Sequence, residues 1–463
     1  MATGVPKKRS GGAPPYLGDE AMAFRVEYPG KCSLAEILVT PTNEYEAIWQ
    51  ARQEASSRLY FADNLPILAG LRNEPTFAGR VRLVYIDPPY ATETVFHSRS
   101  LNPAYEDILA GPEYLEALRQ RLILIRELLA DDGSLYLHLD EKMVFHAKLI
   151  LDEVFEPSQY RNCITRKKCN PKNYTRKAYG NVADYILFYT KTGNYVWNRP
   201  TEPWTPERAK EYQYIEQETG RRFMKVPVHA PGVRNGETGQ PWRGKLPPPG
   251  KHWQYPPQVL DDLDARGEIY WSPNGNPRRK VYLDENPGVG VQDIWLGFRD
   301  AHNQNIRITG YPTEKNSDLL RRLILASSNT GDLILDCYAG SGTTLAVAAE
   351  LGRSWVGVDR SPEAVTTILD RFTRGLQPMG DFSDRQSVES APTGQQMLFD
   401  AAEVTGQDPP SMEKPVPLDS FAFFGDNTLL RTHAEIAAKW RGRLTGDMER
   451  PSSSSTSARS IEM

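Results

Sequence analysis

The spacing of apolar residues changes period several times along the chain. Residues 43–57, NEYEAIWQARQEASS, carry a helical spacing, and RLYFADN after them reads as a strand ending at Asp63 and Asn64. Val81, Leu83, Val84, Tyr85 and Ile86, interrupted only by Arg82, predict a buried strand over about 81–87. PEYLEALRQRLILIRELLADDGSLYLHLD then predicts a strong helix, a turn at Asp132-Gly133, and a strand over about 134–139. KMVFHAKLILDEVF is amphipathic with a helical period, and ADYILFYTK (183–191) is a strand. Later the same alternation resumes: a helix in NSDLLRRLILASS, a strand in DLILDCY, a helix over about 342–351, a strand in SWVGVD and a helix over about 362–374. Strands alternating with helices predict an α/β chain with a largely parallel sheet.

Between the two blocks, from about 192 to 305, the texture is rich in Pro, Gly, Trp, Tyr and Arg with little helical period. This predicts a separate, irregular lobe of short strands, whose Trp and Tyr density argues against disorder. Trp197, Trp204, Trp242, Trp253, Trp271 and Trp295 read as its core rather than as base-stacking groups, by their apolar area. The first residues are Gly/Pro/Lys-rich, and beyond about 377 the chain turns polar and ends in PSSSSTSARSIEM; both ends are expected to be flexible. The chain carries no internal repeat.

Composition adds exclusions. Apolar content of 39% and charged content of 25% are those of a soluble globular protein. No run of 18 apolar residues exists, so no membrane span is expected. MATGVPKKRSGGAPPY lacks the apolar core of a secretory signal. Cys32, Cys163, Cys169 and Cys337 are too few and too scattered for a disulfide framework, and Cys163 and Cys169 have no second pair or His cluster to make a zinc site. No metal is expected, and the compartment is a reducing one, most simply a cytoplasm. A net charge of −4 argues weakly against nucleic acid, but a global sum hides local patches. Arg161, Arg166, Lys167, Lys168, Lys172, Arg176 and Lys177 follow one another with no acid between them, among Tyr160, Tyr174 and Tyr179. Such a run suits either a solvated loop or contact with phosphates and stacked bases.

Two stretches carry chemistry. The apolar strand near 81–87 stops on Asp87-Pro88-Pro89-Tyr90, where two prolines remove two backbone donors and leave a rigid corner flanked by an acid and a ring. GDLILDCYAGSGTTLAVAAELGRSWVGVD is a strand, a glycine-bearing turn, a helix and a second strand ending in Asp359. Gly340 and Gly342 let a ligand approach the backbone, and Asp359 stands where a strand-end acid binds ribose hydroxyls. The turn lacks the third glycine of a dinucleotide fingerprint and the Gly-Lys-Ser/Thr of a P-loop. Asp336 before the turn repels a pyrophosphate; it is either a turn-capping acid or a partner for a cationic amino-acid moiety. S-adenosyl-L-methionine has that chemistry: ribose, no phosphate, an ammonium group and a sulfonium.

A methyl donor gives the proline corner a meaning. An exocyclic amine of a nucleobase is a poor nucleophile, and acceptors around it localise its lone pair. Asp87 and the Pro88 carbonyl are such acceptors, and Tyr90 offers a stacking face. A base inside a duplex must be flipped out to reach them, at a cost of about a few kcal/mol.

The pair DPPY and DCYAGSGTT resembles the amino-methyltransferases of DNA, and the motif order resembles their β class, with similarity to type III modification subunits and orphan adenine-N6 enzymes. The resemblance spans about residues 55–375, with the catalytic motif first and the cofactor motif last. It implies an α/β fold: a Rossmann-like S-adenosylmethionine-dependent methyltransferase sheet with helices on both faces, permuted motif order and an inserted irregular target-recognition lobe. The implied divisions are an N-terminal extension (1–42), a catalytic half (43–191), the recognition lobe (192–305), a cofactor-binding half (306–376) and a polar, largely flexible tail (377–463).

The family pattern puts Asp87, Pro88, Pro89 and Tyr90 at the catalytic corner. It puts Asp63 near the cofactor adenine, Thr313 and Lys315 near its methionine end, and Asp336, Ala339, Gly340, Ser341, Gly342, Thr343 and Asp359 around it. The basic run then reads as DNA-facing, with mostly phosphate contacts, and Arg278, Arg279 and Lys280 form a smaller patch in the lobe. Two positions depart from the family pattern: Asn316 replaces a proline after Lys315, and Cys337-Tyr338 replace Pro-Phe after Asp336. Asp87 at the first motif position resembles N6-adenine enzymes, whereas N4-cytosine enzymes more often carry Ser there. The expected activity is therefore adenine-N6 methylation of double-stranded DNA, with cytosine-N4 methylation and a non-catalytic DNA-binding subunit as alternatives. Expected partners are a second copy of the chain, a separate restriction subunit, and a sliding clamp through Gln395, Leu398 and Phe399 of GQQMLFD.

Overall fold

The computed structural model describes residues 25–50, 56–89, 94–97, 103–107, 111–171, 177–202, 210–284, 288–300, 307–311, 314–378 and 415–445. These divide into two compact units, one of residues 25–198, 293–378 and 415–445, the other of residues 199–292.

In the first unit the strands are β1 (Tyr45–Trp49), β2 (Ser57–Phe61), β3 (Val81–Ile86), β4 (Leu129–Leu139), β5 (Tyr160–Lys167), β6 (Ala183–Thr190), β7 (Ile294–Trp295), β8 (Leu333–Asp336), β9 (Ser354–Asp359) and β10 (Phe421–Asp426). They form one ten-stranded sheet in the order β1-β10-β2-β9-β8-β3-β4-β6-β5-β7. From β10 to β4 every pairing is parallel; β1 and β6 run against their neighbours.

The helices are α1 (Leu34–Leu38), α2 (Asn64–Arg72), α3 (Gly111–Leu128), α4 (Val144–Phe155), α5 (Ser317–Ser327), α6 (Thr343–Glu350), α7 (Pro362–Arg374), α8 (Asn427–Thr432) and α9 (Ala434–Thr445). Alternation along each strand sorts them onto two faces. Val84, Ile86, Leu135, Leu137, Val356 and Val358 join one core with Leu68, Leu122, Ile125, Ile150 and Leu151 of α2, α3 and α4. The opposite face meets α5, α6 and α7: Tyr136 reaches Ser327, Leu345 lies against Gly357, and Trp355 packs on Phe372. A parallel sheet covered on both faces explains the near-continuous apolar runs of β3, β8 and β9.

Three expectations need correction. Residues 45–49 are a strand, not part of a helix, because they pair antiparallel with β10 and bury Ile48. Over so few residues helical and extended spacing are hard to tell apart, and the sheet edge decides.

The C-terminal region is not all flexible. β10 inserts between β1 and β2, and α9 buries Trp440 edge-on against Phe61 and Phe423, with its Nε1 donating to Thr366 Oγ1 at 3.0 Å. Finally, residues 293–300 belong with the sheet rather than the lobe, since β7 pairs parallel with β5.

The second unit holds a four-stranded antiparallel sheet (214–215, 222–227, 277–282 and 269–271, in that order) and a helix over 257–265. Its core gathers Val228, Trp242, Trp253, Leu260, Leu263 and Ile269, so Trp242 and Trp253 are core residues as their apolar area suggests.

Candidate active site

Six adjacent parallel strands bring their C-terminal ends to one edge, and each ends at or just before an acid: Asp426, Asp63, Asp359, Asp336, Asp87 and Asp140. From β8 the chain crosses through α6 to β9 on one side; from β3 it crosses through α3 to β4 on the other. The crossover direction reverses between β8 and β3, which is where an open α/β sheet forms its ligand crevice. Register pairs Leu335 with Val84, so Asp336 and Asp87 stand on neighbouring strands at that crevice.

The first half of the site is the end of β3. The ladder stops at Ile86 because Pro88 and Pro89 have no N–H to continue it. Pro88 is buried, while Asp87 is partly exposed, its Oδ2 2.7 Å from Lys315 Nζ. Tyr90 and Thr313 lie outside the described residues.

The second half is the turn after β8. Gly340 (φ 50°) and Gly342 (φ 73°) both occupy the left-handed region, and Gly342 is the N-cap of α6. A Cβ on Gly342 would stand 2.9 Å from Ile368, and one on Gly340 would meet the Tyr311 ring at 3.5 Å. Asp359 shapes the turn from β9: Oδ2 accepts the Gly340 N–H and Oδ1 the Ser361 N–H, each at 2.8 Å. Asp336 Oδ1 accepts the Tyr338 N–H at 3.0 Å. Ala339, Ser341 and Thr343 are buried in the same turn, with the Ser341 and Thr343 hydroxyls 3.0 Å apart.

Burial raises both acids: Asp336 is pushed up to about 7 and Asp359 up to about 6, with Asp87 adding to the rise at Asp336. Two carboxyls raised in this way beside a glycine turn make a site that gains from an incoming cation.

Comparison with known proteins gives this edge a family. A DNA methylase family model matches residues 81–370, from β3 into α7. The chain belongs to the DNA methylase family. The type II methyltransferase M.EcaI of Enterobacter cloacae is 44% identical over 398 residues, covering 82% of this chain and 87% of that protein. The type III restriction-modification enzyme StyLTI Mod subunit of Salmonella typhimurium is 26% identical, covering 66% of this chain and 52% of its own, so the methylase spans about half of that relative. Among solved structures, a putative DNA modification methylase from Thermus thermophilus aligns with 69% of this chain and 96% of its own, at 20% identity and a TM-score of 0.37.

DNA methylases of this kind, acting on the N6 or N4 amine, use S-adenosyl-L-methionine, and the residues of the edge fit that group. A buried carboxyl, Asp336, and a partly exposed one, Asp359, stand at the crevice, the glycine turn leaves no Cβ in the approach to its backbone, and no lysine stands in the turn to hold a phosphate. Asp336 would hold the cationic methionine part and Asp359 the ribose hydroxyls. Asp63, expected near the adenine, caps α2 through the Leu65 N–H (2.8 Å) and pairs with Arg121 at 3.1 Å. It follows β2, which pairs with β9 through Phe61 and Asp359, so it stands at the same edge.

Motif reading missed the groups that hold this edge together. Arg371 of α7, 2% exposed, donates to Thr343 Oγ1 at 2.8 Å and to Ser341 O and Glu314 Oε1 at 3.3 Å. It thereby ties the Lys315 segment to the glycine turn. Asn64 donates through Nδ2 to Cys337 O at 2.7 Å and accepts from Arg121 Nε. Arg371 falls in no motif, and only its place late in an amphipathic helix hints at it, whereas Asn64 closes the RLYFADN stretch.

The expected DNA contacts are sorted by the sheet. β5 is a strand through much of the basic run, not a loop, and runs parallel to β3 because two antiparallel pairings separate them from a common direction. Its C-terminal end, with Lys167 and Lys168, faces the catalytic edge. Arg161 does not: it sits at the opposite end of the strand, donating to Thr190 Oγ1 and Thr192 O. Arg166 is fully buried and paired with Asp184 and Asp300, so it has no surface to offer a phosphate.

Lys177 is exposed; Lys172 and Arg176 lie outside the described residues. In the second unit Arg278 is exposed, but Lys280 pairs with Glu216 at 2.7 Å and Arg279 donates to Tyr255 Oη at 2.9 Å. Those two are internal ties rather than a patch. Gln395, Leu398 and Phe399 lie outside the described residues. Among the described residues no group of acids, histidines and cysteines is arranged to hold a metal, and no helix is long and apolar enough to cross a membrane.

Proposed function

We propose that this methylase transfers a methyl group from S-adenosyl-L-methionine to the exocyclic N6 amine of an adenine flipped out of double-stranded DNA. The observation that carries the reading is the register at the switch point, which sets Asp87-Pro88 on the strand next to Asp336 and the Gly340–Gly342 turn. The Asp87 carboxylate and the Pro88 carbonyl are two acceptors for the two N–H bonds of the amine. Drawing both toward them localises the lone pair on nitrogen. Pro88 and Pro89 fix the acceptors before the base arrives, so little reorganisation is left for the reacting complex. Tyr90 stacks on the extruded base.

Bound S-adenosyl-L-methionine supplies an electrophilic methyl group on a sulfonium. Asp336 would hold negative charge beside that cation, the glycine turn would let the group approach its backbone, and Asp87 takes the proton the methylated amine gives up. Lys167, Lys168 and Lys177 contact phosphates and fix the duplex in register without reading sequence. The restriction-modification names of the relatives support a separate restriction subunit as partner. All four cysteines are free, as a cytoplasmic setting leaves them.

Adenine is favoured over cytosine by the Asp87 carboxylate at the first motif position. The test is nucleoside mass spectrometry on duplex DNA incubated with purified protein and isotope-labelled S-adenosyl-L-methionine. Label in N6-methyladenine is expected. Label in N4-methylcytosine overturns the choice of base, and DNA binding without any label overturns the enzymatic reading.

A further inference from the structure

Beneath the catalytic corner the sheet buries a row of polar groups that the methyl-transfer chemistry does not use. Tyr85 and Asp87 point to one face of β3, being two residues apart. Register places Tyr85 opposite Tyr136 and Ile86 opposite Leu137, so Asp87 and His138 are the residues that follow the last pair. On the next strands His138 faces Ile186, and Asp184 is directly opposite Arg166. The Tyr85 hydroxyl is 2.8 Å from His138 Nδ1, and His138 Nε2 is 3.0 Å from Asp184 Oδ2. Arg166 grips both oxygens of Asp184 at 2.9 Å and continues to Asp300.

His138 and Arg166 are 0% exposed and Asp184 3%. Burial pulls the imidazole below its ordinary range and outweighs Asp184, while Nδ1 lies within hydrogen-bonding distance of the Tyr85 hydroxyl and Nε2 faces the Asp184 carboxylate. Burial by itself would raise Asp184, but His138 and Arg166 outweigh it and hold the carboxyl well below the usual range.

A fold does not need this row. Apolar residues of the same volume often make such a site equally or more stable. On β5 and β6 the next residues down the same face are apolar, Ile164, Ile186 and Phe188, so on those two strands the row ends toward the corner. One end of the row stands under Asp87 and its partner Lys315, whose charge reaches both His138 and Asp184. The other end stands at the close of β5, where Asp300 accepts from Arg166 and its own N–H donates to Lys168 O at 2.9 Å.

We propose that His138, Asp184 and Arg166 are positioning residues: a buried polar row that fixes the Asp87–Lys315 pair and ties the catalytic corner to the basic end of β5. The row touches neither base nor cofactor. It sets the angle at which Asp87 meets the amine, and it moves as a unit with Lys168, so a grip on DNA at β5 is felt at Asp87. The proposal rests on the methyl-transfer reading above.

The test compares wild type with His138→Leu, Asp184→Asn, Tyr85→Phe and an all-apolar row (Tyr85→Phe, His138→Leu, Asp184→Leu, Arg166→Met). Each is followed by thermal melting, cofactor affinity by calorimetry, single-turnover methylation, and fluorescence of 2-aminopurine placed at the target base. Folded variants are expected to bind cofactor within about twofold of wild type but to transfer the methyl at least tenfold more slowly. His138→Gln, which keeps a polar group at that position, is expected to recover part of the rate lost in His138→Leu.

Folded variants with a wild-type single-turnover rate overturn the proposal, as does a loss of cofactor affinity that accounts for the whole drop in rate. Where the apolar row fails to fold, the near-isosteric Asp184→Asn decides between the same two outcomes. A wild-type protein that transfers no methyl group fails the underlying reading instead, and the two failures are told apart by that control.

Discussion

The proposed role of Asp87 requires a carboxylate held in place before an amine arrives. Pro88 and Pro89 stiffen the backbone after it, and the ion pair with Lys315 at 2.7 Å holds its side chain. Replacing Asp87 by Ala removes one of two preorganised acceptors, a kind of loss that costs about 10²–10³-fold in turnover. Single-turnover methylation is expected to fall by that factor while calorimetry still finds the cofactor bound.

Asp336 has a different signature. Its carboxyl is raised to about 7, so it is about half protonated near neutrality and mostly neutral below pH 6. A cationic ligand favours the ionised form, so binding releases a proton and weakens as pH falls through 7. Titrating cofactor affinity from pH 8.5 to about 5.5 is expected to show that decline, and Asp336→Asn is expected to bind weakly and to lose the decline around pH 7.

Gly342 needs both its left-handed φ and its missing Cβ, because Ile368 stands 2.9 Å from where a Cβ would be. Gly342→Ala is expected to lower stability by about 2–4 kcal/mol, adding the left-handed penalty to overpacking, as read by denaturant unfolding.

At the scale of elements, much of the core of the fold was legible. β3, β8, β9 and the helices α5, α6 and α7 coincide closely with their sequence patterns, because a strand buried on both faces is a continuous apolar run and an amphipathic helix keeps its period. β1 and β10 were not legible, for a physical reason: each owes its state to a partner distant in the chain.

A local likeness was also overlooked. Tyr60-Phe61-Ala62-Asp63-Asn64 and Phe423-Phe424-Gly425-Asp426-Asn427 both end a strand on an aspartate that caps the next helix, and the two strands lie side by side. The two departures from the family pattern resolve in the same way. Asn316 caps α5 by accepting the Asp318 N–H at 2.8 Å, and the Cys337 carbonyl is held by Asn64. Deleting residues 415–463 would strip β2 of its neighbour and uncover Phe61. Loss of soluble protein is expected in a fractionation assay, because an exposed apolar edge strand invites pairing with other chains.

At the scale of the whole molecule, charge is organised by strand direction rather than by sum. A net charge of −4 coexists with Lys167, Lys168 and Lys177 beyond the catalytic end of β5, while the sequence run that contains them also sends Arg166 inward and Arg161 to the far edge. A run of cations in sequence is thus three different things in space, which composition has no means to separate. Salt titration of DNA affinity reads the difference: Lys168→Gln is expected to reduce the log–log slope by about one, and Arg161→Gln to leave it unchanged.

The central claim, that the end of β3 and the turn after β8 together methylate adenine in DNA, has one most direct test. Single-molecule sequencing of genomic DNA from a host expressing wild type or Asp87→Ala reads modified base and target sequence together. The account predicts N6-methyladenine at a defined sequence with wild type and none with Asp87→Ala. Identical modification in the two samples, or a mark on cytosine alone, would contradict it.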